Sequence, residues 1–465
     1  MPRLRVPVPD QQVRCWKSLT VTAPVLRQAR GGRTRPPRLR VASANDRIKA
    51  VADKMLCQAS RVDRLENVPS KRQDAALSGT ILFVDHAQWK SFDQLSAVLR
   101  KRGFRTVRVT TEQSRFSRRV APFCYDETIY VDDIAAGFDD ALSRAQVAPT
   151  DILDLQCADS TLDAVVSWLA RVELREFVRD HMRWKAGLID KLAMSQRLSA
   201  AGVPVPRALD ADTTTPLQAS QDLGFPLLLK SRLGGGGAGV RIFQDEVGLR
   251  DIVDDPARRK GKQYWEEFIP GTLVAYGAAY RDGQVLHEGT VLSVRWNERS
   301  LGPSMSVRTT ADEDLIDVGR KVLAAIHGRG LANLGCVRSS DGQVRVFDVN
   351  LRIWGSAHTL GQAGVGFGEA YILTLEENPE QPRSTSRVEP GHELRVFPTA
   401  SLLAASTQPW KAIAFALRDL PYYIRSAGWR CAFVGSAEIA LALLKRAKRS
   451  ASKRVRTSST QQWAK

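Results

Sequence analysis

The sequence predicts a mixed fold, α/β followed by α+β, and three observations predict it. First, buried-strand runs alternate with a helical pattern between about residues 78 and 172, the signature of a parallel α/β unit. Second, a short apolar strand ending in Lys230 runs through a glycine run into a second strand, which is a hairpin rather than a strand-to-helix turn. Third, Phe347-Asp348-Val349-Asn350-Leu351-Arg352-Ile353 alternates apolar and polar residues with the period of a strand.

The α/β unit opens with Thr80-Ile81-Leu82-Phe83-Val84-Asp85, followed by a helix over about Ser91 to Arg102 and the strand Thr106–Val109. Thr128–Val131 and Asp151–Leu155 supply further strands. Asp159 and Ser160 follow the last one, at a strand's C-terminal end, where open α/β sheets bind ligands. Asp190-Lys191 then reads as a helix start, Gly202 as its stop, and Val203-Pro204-Val205-Pro206 as an extended exit. Gly224 to Lys230 is the lysine-bearing strand, and Gly234-Gly235-Gly236-Gly237-Ala238-Gly239 can bring backbone N–H groups close around phosphate oxygens. No Gly-Lys-Ser/Thr is present, so this is not a Walker A loop. Tyr264-Trp265-Glu266-Glu267-Phe268-Ile269-Pro270-Gly271 is apolar and acidic, then turns. Such a segment can offer backbone donors and acceptors to an adenine edge.

On the Phe347–Ile353 strand, Asp348, Asn350 and Arg352 share one face, and Phe347, Val349, Leu351 and Ile353 share the apolar other. A carboxylate, an amide and a guanidinium on one buried face are costly unless something charged sits against them. Two oxygen ligands beside a permanent cation suit Mg²⁺ bound to a polyphosphate.

In this order and spacing, the helix opening at Asp190-Lys191, the Lys230 strand with its glycine run, the Tyr264–Gly271 segment and the Phe347–Ile353 strand resemble the ATP-grasp superfamily, nearest to its carbamoyl-phosphate-synthetase-like branch of carboxylate–amine ligases; the resemblance covers roughly residues 78–375. It ends in a near match to that family's Glu-x-Asn-x-Arg strand, here with Asp, followed by Trp354-Gly355-Ser356. The resemblance implies two α+β lobes clasping ATP, at about 173–263 and 264–378, after a Rossmann-like domain at 78–172. It implies Lys191 and Lys230 as cations on the ATP phosphates, Gly234, Gly235, Gly236, Gly237 and Gly239 as a flap over them, and Glu266, Glu267, Phe268 and Ile269 as the adenine hinge. It further implies Asp348 and Asn350 as ligands of Mg²⁺ (or Mn²⁺), Arg352 facing the transferred phosphate, and Arg295 as a second basic residue near substrate. The implied activity is ligation of a small-molecule carboxylate to an amine or thiol through an acyl phosphate, releasing ADP and phosphate. A catalytically impaired ATP-binding regulator is the alternative.

One departure bears on that alternative. The family's other metal carboxylate would fall on Gly335 or Cys336. Asp348 bridging two ions, Glu288 substituting, and impaired catalysis remain the three open outcomes. No nucleophile triad is legible, and His358, just past the Trp-Gly-Ser loop, is a weak candidate for contact with an acceptor.

Composition fits a soluble globular protein of two or three domains: 465 residues, 43% apolar and 25% charged. The six cysteines lack paired or metal-type spacing, which suits a reducing cytoplasm. No stretch is expected to span a membrane; Ala432–Leu444 is the most apolar and Glu438 interrupts it. The net charge of +18 is concentrated in two arms. Residues 1–40 hold ten Lys/Arg and one Asp, and residues 445–465 hold eight Lys/Arg and no acid. The body is nearly neutral, which argues against a nucleic-acid-binding core, while the arms are candidates for RNA, anionic lipid or an acidic partner. Residues 1–77 read as a basic arm without clear fold, of the composition of an organelle transit peptide, and 379–444 as a helix-rich region before the basic tail. A homodimer is the default assembly.

Overall fold

A computed structural model of the chain describes residues 79–86, 90–234, 239–253, 262–294, 304–364, 366–375 and 385–462, with backbone alone at 251–253, 403, 406–407 and 447–462. The expectations for the N-terminal arm, for Gly235–Gly237 and for Arg295 lie outside the described residues.

A parallel sheet comes first: β1 (Thr80–Asp85), β2 (Arg105–Thr110), β3 (Glu127–Tyr130) and β4 (Ile152–Cys157), in the order β3-β2-β1-β4. All six residues of β1 are buried, as in a strand covered on both faces. The covering helices are α1 (Lys90–Lys101), α2 (Arg115–Cys124), α3 (Ile134–Arg144), α4 (Leu162–Leu169) and α5 (Glu176–Ala186). Their starts are chemically marked: Ser114 caps α2 and Asp133 caps α3 through side-chain oxygens that accept backbone N–H groups. The chain leaves β1 toward β3 and returns on β1's other side at β4. The switch point, where ligands meet such sheets, therefore lies between the C-terminal ends of β1 and β4.

An antiparallel sheet of order β5-β8-β6-β7 follows: β5 (Ala208–Asp210), β6 (Leu227–Ser231), β7 (Val240–Phe243) and β8 (Gln263–Glu267). With it come α6 (Lys191–Ala200), capped by Asp190, α7 (Pro216–Leu223), capped by Thr215, and α8 (Glu246–Val253). Leu227, Leu229, Phe243 and Trp265 pack with Ala219, Leu223 and Leu249 as its core.

The largest sheet has the order β13-β12-β9-β10-β11-β15. Its strands are β9 (Gly271–Arg281), β10 (Gln284–Val294), β11 (Ser306–Thr310), β12 (Arg329–Ser339), β13 (Val344–Asn350) and β15 (Glu393–Arg395), with β14 (Ser386–Arg387) pairing β10. β9 and β10 join through Asp282-Gly283, both at positive φ, the two-residue turn whose twist suits a hairpin. α9 (Glu313–Ile326) lies on one face, so close that a Cβ at Gly319 would fall 2.5 Å from the Tyr276 ring. α10 (Phe367–Leu373) and Trp354 pack the other face.

The chain closes with α11 (Thr399–Thr407) and α12 (Pro409–Gln462). α12 breaks at Gly428, whose φ of 81° and ψ of 158° are not helical. Residues Pro409–Arg446 are long and apolar enough to cross a membrane, by length and composition only, which corrects the expectation that no stretch is. Physically this segment is two helices, and its second half packs inward: Ala432, Val434, Ile439 and Leu443 are buried, and Glu438 pairs with Lys90 of α1.

Candidate active site

Four elements converge at the β13 edge of the large sheet. The N-terminus of α6 brings Lys191, β6 brings Lys230, β8 brings Glu266, and β13 brings Phe347 to Asn350. A cleft opens here, lined by Lys191, Met194, Ser195, Glu266, Phe347 and Asp348 among others.

The polar groups form one continuous run. The Lys191 ammonium donates to Asp348 Oδ1. Asn350 Nδ2 donates to Asp348 Oδ2 at 2.7 Å, and Arg352 Nη2 donates to Asn350 Oδ1 at 3.1 Å. Arg352 also grips Asp159 through both carboxylate oxygens, at 2.9 and 2.8 Å. Asp159 follows β4 at the switch point, so this fork ties the parallel domain to the large sheet. Burial would raise the Asp348 carboxyl, but the charges of Lys191 and Lys230 outweigh it and hold the group below its usual range.

Lys230 is 6% exposed and has all three donors engaged: Glu266 Oε1 at 2.9 Å, Glu266 Oε2 at 3.0 Å and the Phe347 carbonyl at 3.0 Å. Burial pushes the Glu266 carboxyl up, opposed by Lys230. The Tyr264 hydroxyl, itself held neutral by burial, donates to Glu266 Oε2 at 3.3 Å. Glu266 thus contributes its side chain, where the sequence had suggested only backbone. Glu267 faces away and pairs with Arg207, and Phe268 and Ile269 are half-buried in the link to β9. Gly234 has a φ of 107° that suits glycine, and a Cβ at Gly239 would lie 2.3 Å from Ser231 Oγ.

Three sequence readings change. Phe347 does not share the core face with Val349 and Leu351. A bulge sets Gly335 opposite Asp348 and Cys336 opposite Val346, leaving Phe347 as the extra residue and shifting the alternation by one. Its ring turns to the cleft, 5.4 Å from Lys230 Nζ. Glu288 does not substitute for the absent carboxylate. It is fully buried beneath α9, held by Tyr276 at 2.9 Å, Arg320 at 2.7 Å and Arg387 at 2.9 Å. It faces the same side as Tyr276, whereas Asp348 pairs with Gly335 and faces the opposite side. His358 is buried against Tyr422 and Tyr423, bonded to Ser426 Oγ at 2.9 Å and pushed down to about 3 by burial, so it serves packing.

The choice between Gly335 and Cys336 is also decided. Cys336 is fully buried in the core under α9, so Gly335 is the position facing the site. A Cβ there would meet the Phe347 ring at 3.0 Å and Asp348 Cβ at 3.3 Å. Phe347 fills the space that a side chain at 335 would need.

The sequence reading passed over Lys185. It is 4% exposed, and its ammonium makes no hydrogen bond among the described residues. It lies with His181 and Cys157, near the C-terminal end of β4. The signal was present: Val178, His181, Met182 and Lys185 fall on one helical face with a 3.6 period, and the lysine sits on the buried side.

Residues 190–269 match the family model for the carbamoyl-phosphate synthase L chain, ATP binding domain. A D-alanine–D-alanine ligase from Pseudomonas putida is 25% identical over 206 residues, 41% of this chain and 64% of that one, so the chain spans under two thirds of that relative's length. A biotin carboxylase from Allochromatium vinosum is 23% identical over 319 residues, 63% of this chain and 70% of that one. The N5-carboxyaminoimidazole synthetase of Staphylococcus aureus, solved with ADP, superposes with a TM-score of 0.53 at 15% identity, covering 68% of this chain and 80% of that one. The chain has the ATP-grasp fold, and its relatives are ATP-grasp proteins of the carboxylate–amine ligase branch.

Proposed function

We propose that this protein is an ATP-dependent ligase that activates a small-molecule carboxylate as an acyl phosphate and joins it to an amine or a thiol. The observation that carries the reading is the unbroken run Lys191–Asp348–Asn350–Arg352 beside the buried Lys230. In such a reaction a carboxylate oxygen of the substrate takes the γ-phosphoryl group as the bond to the β-phosphate breaks. The amine lone pair then attacks the acyl carbon, and phosphate leaves. Phosphoryl transfer asks the protein for in-line positioning and for neutralisation of charge on the phosphoryl oxygens.

Each cation already has a carboxylate partner: Lys191 has Asp348, Lys230 has Glu266 and Arg352 has Asp159. Binding of a polyphosphate exchanges these partners for phosphate oxygens. Mg²⁺, expected for this fold, fits in one way. The described residues provide one carboxylate, Asp348, and one amide oxygen, Asn350, and no cluster of three acidic, histidine or cysteine ligands. Such a set suits an ion held largely by the nucleotide's own phosphates, where it would neutralise charge on the transferred group. The roles of Lys191 and Lys230 are to hold phosphate oxygens, that of Arg352 to face the acyl phosphate, and those of the loop from Gly234 and the Glu266–Ile269 segment to cover phosphates and adenine.

A second reading, an ATP-binding regulator without turnover, draws on Gly335, where Phe347 occupies the room for a further carboxylate. One experiment separates the two. ADP and phosphate release is measured with Mg·ATP across pooled carboxylates and amines, with Asp348→Asn as control. Substrate-dependent release that disappears in Asp348→Asn is expected. Unaltered release by a folded Asp348→Asn variant removes the metal assignment, and ATP binding with no release in any pool favours the regulator.

A further inference from the structure

The first half of α12 carries a stripe that neither the fold nor the site uses. Trp410, Ala414, Leu417 and Pro421 are all exposed, Trp410 at 60% and Leu417 at 44%. At about 100° per residue, these positions fall within a band about 60° wide and about 16 Å long. Lys411, Arg418 and Arg425 are exposed along one flank of the same band. The only acid between Pro409 and Gly428 is Asp419, and it is turned inward against Arg395 at 3.0 Å. An apolar stripe edged by cations is therefore left on the outside of a helix whose opposite face is core.

We infer that this outer face of α12 docks on an anionic lipid bilayer. Charge complementarity selects the occupant: three cations flank the stripe, and residues 445–465 of the same helix and its end add eight more with no acid. An indole within an apolar stripe that cations flank suits the boundary of acyl chains and headgroups, where such helices lie in the surface plane. Nucleic acid would use the cations but gain little from Ala414, Leu417 and Pro421. The helix lies on the surface and does not cross, because after Gly428 it turns into the protein, with Val434 and Ile439 in the core and Glu438 paired with Lys90. This inference is independent of the ligase reading.

The test is flotation of the full chain with vesicles of phosphatidylcholine alone and with added phosphatidylserine. Binding to the phosphatidylserine vesicles is expected, weakening with salt, and W410S/L417S should lower it on the order of tenfold. Both side chains are exposed and outside the site, so an unchanged melting temperature is the control. Wild-type protein that stays at the bottom overturns the inference. So does a double variant that floats as well as wild type, which would move binding to residues 445–465. Retention of single-stranded RNA, or a dimer in sedimentation, that W410S/L417S abolishes without vesicle binding would give the face to RNA or to a second copy instead.

Discussion

Replacing Lys230 with Met tests the buried pair at the centre of the site. The substitution removes two hydrogen bonds to Glu266 and one to the Phe347 carbonyl, while keeping the aliphatic volume. Glu266, 3% exposed, is left with the Tyr264 hydroxyl at 3.3 Å. Removing one member of a buried pair costs about 3–5 kcal/mol, because the other charge stays buried without compensation. Glu266 has an escape: burial already raises its carboxyl, so it can take up a proton and shed the charge. The expected loss at pH 7 is therefore near the lower end, about 3 kcal/mol, and it shrinks toward pH 5, where protonation is easier. Removing both charges with Lys230→Met and Glu266→Leu should return stability to within about 1 kcal/mol of wild type. Urea unfolding of the wild type, both single variants and the double variant gives the coupling directly. A Lys230→Met loss under about 1 kcal/mol, or a double variant no more stable than the single, would refute the buried-pair reasoning. Comparing ATP binding by the double variant with that by Glu266→Leu alone then isolates the lysine's part in function. Loss of a charge-assisted phosphate contact should weaken ATP binding on the order of tenfold or more. ATP binding at wild-type strength would remove Lys230 from the phosphate site.

Two further outcomes are expected. Gly335→Ala forces its Cβ onto the Phe347 ring and Asp348 Cβ, so overpacking should cost about 1–3 kcal/mol in urea unfolding. Phe347→Leu in the same chain should recover part of that loss, and an undisturbed Gly335→Ala would show that Phe347 is not fixed there. His181 and His358 are both pushed down to about 3 by burial, so only the unfolded chain protonates them between about 6.5 and 3. Stability should fall as the pH drops through that window, with each histidine contributing a loss of about 1.4 kcal/mol for every tenfold rise in proton concentration. His358→Gln should lower the slope by one histidine's share, and an unchanged slope would contradict the burial argument.

The candidate site was legible in part because its signals are local. Lys191 stands just after a capping Asp, Lys230 ends an apolar strand, and Asp348, Asn350 and Arg352 recur every second residue. The parallel sheet was legible for a similar reason, since a strand covered on two faces must be apolar throughout. Local spacing gave no access to the bulge at Phe347, because a bulge is a property of the pairing between β12 and β13. It therefore misplaced one ring and left Gly335 and Cys336 unresolved.

The sequence by itself determined the elements, the order of the site residues and the location of the excess charge, since these follow from periodicity, capping and composition. Only the tertiary structure decided the partners. It sent Asp159, 193 residues away in sequence, to Arg352, closed Lys230 onto Glu266, put Glu288 under α9 and folded the apolar half of α12 inward. A buried charge takes whichever opposite charge the packing brings within hydrogen-bond reach, and that choice is made by contacts between distant segments rather than by spacing along any one of them.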